Sequence, residues 1–79
     1  MTTDTIRLGR HTVARGDRVR VLPSPGKRDG FVAVFHSAHL DDDEVVEITV
    51  IGGRNGRPRA YRTFAPWRVA WMRQPREDA

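Results

Sequence analysis

Between Gly16 and Leu22 the chain alternates strictly, with Arg18 and Arg20 between Val19, Val21 and a leading Gly16-Asp17 turn. Successive side chains of a strand point to opposite faces, so period-two alternation marks a strand with one buried side. This predicts a strand over 17–22, valines inward and arginines outward. Residues 31–36 (Phe-Val-Ala-Val-Phe-His) are apolar on both faces, which predicts a central strand or one lying under a loop. Residues 44–51 alternate again, with Val46, Ile48 and Val50 on the expected inner face and Glu47 and Thr49 outside. Residues 57–64 and 67–72 supply two more strands, and Pro58 places the first of these at an edge or at its own start. The expected core is Val19, Val21, Val34, Ile48, Val50, Phe64 and Val69.

Turn signals separate these runs. Pro23-Ser24-Pro25-Gly26 ends the first strand, because proline lacks an N–H and fixes φ. Asp29-Gly30 is a two-residue hairpin signal, and Gly52-Gly53-Arg54-Asn55-Gly56 is a tight turn whose residues accept positive φ. Ser37 to Asp43 is polar and reads as a loop, while Ala65-Pro66 allows one helical turn. Ahead of the first strand, Ile6, Leu8 and Val13 around Gly9-Arg10 read either as a short leading hairpin or as one irregular edge strand. Gln74 to Ala79 is expected to be a frayed, charged tail. There is no linker, internal repeat or helix of useful length, so residues 1–79 form one domain, ordered over about 5–73.

Five short strands punctuated in this way resemble the SH3-like barrel. The residues that carry the resemblance are Gly16-Asp17-Arg18-Val19-Arg20-Val21, Gly30-Phe31-Val32, the hairpin at Gly52 to Gly56, and Phe64-Ala65-Pro66-Trp67-Arg68-Val69, which together span roughly 16–72. The resemblance implies an all-β, five-stranded barrel with its single helical turn between the fourth and fifth strands. In style the chain is also similar to small uncharacterised proteins of bacteriophages that infect high-GC bacteria. One departure matters: the acidic, tyrosine-rich loops of peptide-binding SH3 domains are absent. The first long loop here is basic, so a proline-rich ligand is not implied. The fold hosts many functions and selects none of them.

Composition narrows the function. A chain of 79 residues buries only roughly 60 to 65% of its unfolded surface. It has no cysteine, which excludes disulfides and thiolate metal sites. No apolar run approaches the roughly 20 residues of a membrane span. Met1-Thr2-Thr3-Asp4 lacks the basic and apolar parts of a signal peptide, so a soluble, cytoplasmic protein is expected. Fourteen basic residues face ten acidic ones, for a net charge of +4. Six of the acids sit in Asp41-Asp42-Asp43-Glu44 and in Glu77-Asp78, so the field elsewhere is more positive than that sum. Thirteen of the bases are arginine, which fits a GC-rich genome and equally a use for bidentate, stacking guanidinium groups.

The candidate chemistry follows from that charge. Arg18, Arg20, Arg57, Arg59, Arg62 and Arg68 on strands, with Lys27, Arg28 and Arg54 on loops, are the candidate phosphate contacts. A solvated charged surface that keeps a small β domain soluble would look the same. Tyr61, Trp67 and Trp71 are candidate aromatic contacts beside them, competing with a place in the core. His36 and His39 with Asp41 to Glu44 are metal-ligand residue types, but in a flexible loop they imply no metal site. Ser37, between His36 and His39 in a loop, is the one serine beside a histidine, and no nucleophile–base pair can be assembled with any specificity; no Gly-rich loop opens a helix, so neither enzyme activity nor a cofactor is expected. Two readings remain. One is a module that binds DNA or RNA with weak sequence preference; the other is a protein-interaction module of phage type, docking on an acidic host protein or joining an assembly. A continuous basic strip on the folded surface favours the first, and a mixed apolar patch with opposed acidic and basic lobes favours the second.

Overall fold

Pairing between strands decides what the alternation alone leaves open. The computed structural model describes residues 1–27, 30–52 and 60–74. It is all-β, with β1 (Thr2–Thr3), β2 (Thr5–Leu8), β3 (His11–Ala14), β4 (Arg18–Val21), β5 (Phe31–Asp41), β6 (Glu44–Ile51), β7 (Tyr61–Phe64) and β8 (Val69–Trp71). A 3-10 turn, Pro66–Arg68, joins β7 to β8. The main sheet is antiparallel in the order β7-β6-β5-β4-β8, with β1 added along the far half of β5, and β2 and β3 form a separate hairpin. Among the described residues no helix is long and apolar enough to cross a membrane.

Among the described residues the expected barrel of five strands is therefore corrected to eight strands in two unclosed sheets. Among the described residues the inner face of the large sheet is covered by the hairpin rather than by a ladder joining β7 to β8. Residues 5–14 take the hairpin form, with Gly9 at φ 64 in its turn and Ile6 paired with Val13. Both of these apolar residues are buried with the sheet. Thr2 and Thr3 pair with His39 and Ala38, so regular structure starts ahead of residue 5.

Six of the seven expected core residues are buried: Val19, Val21, Ile48, Val50, Phe64 and Val69. Val34 is not; it is half-buried, and Ala33 and Phe35 are inside instead. The register explains the change, since Val19 pairs with Ala33 and Val21 with Phe31, and directly opposed residues share a face. Val46 was expected inside and is exposed. Glu47 opposes His39 while Val45 opposes Leu40, so Val46 is the extra residue of a bulge, and Val45 packs on the core in its place. A second bulge leaves His36 as the extra residue of β5, between Phe35 and Ser37.

The expected loop at 37–43 is likewise strand. β5 runs eleven residues to Asp41 and returns through Asp42-Asp43 alone. Both aspartates have positive φ, 51° and 66°, as a type I′ hairpin turn requires. The strand expected over 57–64 is described from Tyr61 to Phe64, residues 57–59 lying outside the described set. The last strand is shorter than 67–72, because Trp67 and Arg68 belong to the 3-10 turn that Pro66 opens. The turns expected at Asp29-Gly30 and Gly52 to Gly56 rest on residues outside the described set, Gly30 and Gly52 excepted.

Gln74, expected in the frayed tail, is 3% exposed. Its Oε1 accepts from the Arg18 N–H at 2.7 Å, and its Nε2 donates to the carbonyls of Arg18 and Met72, each at 2.8 Å. A side-chain amide carries the same donor and acceptor as a peptide group. Gln74 thus supplies one further rung on β4, beyond the Val19–Trp71 pair where β8 stops.

Candidate nucleic-acid interface

The fold divides the predicted basic set into two groups on different surfaces. The first lies on the outer face of the large sheet. Arg18 pairs with Val34, Val34 with Ile51 and Ile51 with Tyr61, so these four side chains form one row across β4, β5, β6 and β7. At about 4.8 Å per strand, the row is roughly 14 Å long. Arg20 begins a second row, between Ala70 of β8 and Val32 of β5. Arg18 and Arg20 are exposed, as are Tyr61 at 64% and Val32 at 47%. The ring of His36 stands edge-on to Tyr61 with centroids 5.1 Å apart, and its Nδ1 lies 2.9 Å from the Ser37 hydroxyl. The bulge at His36 is what brings that ring beside Tyr61. This face is basic at β4, apolar in the middle and aromatic at β7.

The second group gathers where β4 ends and β5 begins. Ser24-Pro25-Gly26-Lys27 closes a turn with a 2.9 Å bond from the Lys27 N–H to the Ser24 carbonyl. Proline at its second position and Gly26 at φ 83 at its third are what a type II turn demands. Arg62 is opposed to Val50, which aligns it with the inner face, and its guanidinium lies 5.2 Å from the Phe31 ring and 5.1 Å from the Phe64 ring. Arg68 approaches Phe64 at 5.0 Å. Its Nη2 donates to the Leu22 carbonyl at 2.9 Å while its own carbonyl accepts from the Leu22 N–H at 2.7 Å. Leu22, Pro23, Ser24, Lys27, Phe31, Arg62 and Arg68 line a pocket of about 130 Å³ that opens to solvent on one side.

The remaining candidates are scattered. Arg28, Arg54, Arg57 and Arg59 lie outside the described residues. Trp67 is 68% exposed on the 3-10 turn, next to Arg68 in the chain. Trp71 is half-buried against the core and is covered by His11, whose ring stacks on it at 3.7 Å with planes 7° apart. His39 pairs with Glu47 on exposed strand, and the acid run forms the tip of the β5–β6 hairpin. Among the described residues no three histidine or carboxylate side chains converge as a metal site requires. That acidic tip and the basic pocket stand at opposite ends of β5, about 33 Å apart along the strand.

Sequence reading finds the arginines of β4 and the exposed Tyr61, but not Phe31 as the floor of a basic pocket or His36 as a neighbour of Tyr61. The Pro25-Gly26 turn is a signal for the placement of Lys27; nothing local marks the bulge at His36. Comparison of the chain with family models, with curated proteins and with solved structures gives no match.

Proposed function

We propose that this chain is a binding module for nucleic acid, of weak sequence preference and without catalytic chemistry, and that it works through the outer face of its large sheet. One observation carries the reading: Arg18 and Arg20 project from the same open face that presents Tyr61, with His36 beside that ring. Guanidinium groups on the phosphates and an aromatic ring on a base are the paired elements of single-strand recognition. Single strands suit this face better than a duplex, whose bases are not free to stack on Tyr61. Five of the strands, β4 to β8, also support an SH3-like reading of the sheet, because the 3-10 turn falls between the last two.

The apolar middle of the face favours a second reading. Val32 is exposed and Val34 and Ile51 are half-buried between the arginines and Tyr61, a composition that suits a protein partner as well. A mobility-shift titration at about 50 mM salt separates the two. Nucleic-acid binding predicts a shift of single-stranded oligonucleotides, weakened by Tyr61→Ala and indifferent to sequence. If neither single strand nor duplex shifts at tens of micromolar protein, the nucleic-acid reading is abandoned for the protein partner.

A further inference from the structure

The pocket at the β4–β5 junction is unlike the outer face, and we infer that it is a binding site for a phosphate monoester. This inference stands apart from the outer-face reading and uses none of its residues. Lys27, Arg62 and Arg68 converge on the pocket, and among the described residues no carboxylate is paired with any of them. Arg62 and Arg68 both lie about 5 Å from the Phe64 ring, so the fold holds two like charges within about 10 Å of each other on one pocket. An anion seated between them relieves that repulsion. Arg68 is already fixed by its bond to the Leu22 carbonyl, and its buried Nε has no acceptor. Arg68 itself lines the pocket, and Ser24 in the same wall adds a neutral hydroxyl donor.

Size and charge narrow the ligand. A volume of about 130 Å³ equals roughly four waters of liquid. That accommodates a tetrahedral oxyanion, and because the pocket opens to solvent on one side the group esterified to it can extend outward. A carboxylate is satisfied by one guanidinium fork, whereas three cations match the dianion of a monoester. Leu22, Pro23 and Phe31 form apolar walls, which strengthen each charge interaction by displacing water. The monoester has two sources: a free phosphate or phosphate ester, or the terminal phosphate of a nucleic-acid strand.

Titration of the protein with inorganic phosphate at constant ionic strength, followed by amide and arginine Nε–H nuclear magnetic resonance, tests the site. Saturable shifts are expected at Lys27, Phe31 and the Arg68 Nε–H. Lys27→Gln with Arg62→Gln, both exposed positions, should weaken phosphate binding at least tenfold, while charge reversal at Arg18 and Arg20 should leave it unchanged. Lys27→Gln alone, on a surface turn, gives the same direction should the double variant fold poorly. Equal shifts with acetate or chloride, or undiminished phosphate binding by either variant, overturn the inference. The source is read with one oligonucleotide bearing a 5′-phosphate or a 5′-hydroxyl. Tighter binding of the phosphorylated strand, lost in the double variant, supports a strand end; equal binding of the two, with phosphate still saturable, supports the free ester. Failure of both strands to bind would remove the outer-face reading and leave the phosphate titration to stand or fall by itself.

Discussion

Gly30 is glycine for lack of space: a Cβ there would run into the carbonyl oxygen of Val21. Gly30→Ala must push the start of β5 away from β4. The expected cost is about 1–3 kcal/mol, read as a lower urea midpoint at unchanged slope. The neighbouring strand supplies a sharper contrast. Phe35 is fully buried, so Phe35→Ala should cost about 3–5 kcal/mol. Val34→Ala, on the other face, should cost no more than about 1 kcal/mol. Reversed costs in denaturant melts would show that the face has been assigned wrongly. The same pair marks what single residues reveal in the sequence. Val19 and Val21 are legible because arginine on either side allows only one inward phase. Phe31 to Phe35 offers two phases of nearly equal hydrophobicity, and only pairing with β4 selects one.

At the scale of elements, the β5–β6 hairpin is the feature the sequence conceals. Four consecutive acids and two histidines look like loop, because such residues are poor strand formers when judged alone. In the fold, Ala38 and His39 are held by β1 on one side and β6 on the other, and that pairing overrides local preference. The turn itself keeps two aspartates at positive φ, where L residues other than glycine are strained. Asp43→Gly removes that strain and one charge of a like-charged run. It is expected to raise stability by roughly 0.5–1 kcal/mol, seen as a higher midpoint in thermal or urea unfolding. A loss of stability would mean that the Asp43 side chain makes a contribution which outweighs its backbone conformation. Bulges are illegible for a different reason. Val46 and His36 are displaced by the mismatch in length between paired segments, a property of two strands together that neither sequence carries.

The whole molecule separates its charges: acids at the hairpin tip, a basic pocket at the other end of β5, and two arginines on the outer face. Binding through that face should weaken steeply with salt, by about 0.7 log units per log unit for each phosphate neutralised on a single strand. Reversal of Arg18 and Arg20 to Glu should lower that slope by about 1.4 and weaken all sequences alike, as anisotropy titrations over a range of salt would show. An unchanged slope would take these arginines out of the contact. Net charge is plain in the sequence, whereas its division among surfaces depends on a register that no single stretch encodes.

Every other strand of the large sheet reaches β5 directly or through one neighbour. Around Ala33 and Phe35 its partners are β4 and β6, flanked in turn by β8 and β7, so no edge strand lies against these residues. In deuterated solvent the N–H groups of Ala33 and Phe35 should be among the last to exchange, through global opening only, at a rate that tracks overall stability. Those of Thr2 and Thr3 should be lost early, as their short strand lifts from β5 while the rest stays closed. One stretch of one strand thereby sets the molecule's slowest clock: exchange at Ala33 and Phe35 times the life of the fold, and exchange at its edges times only local openings.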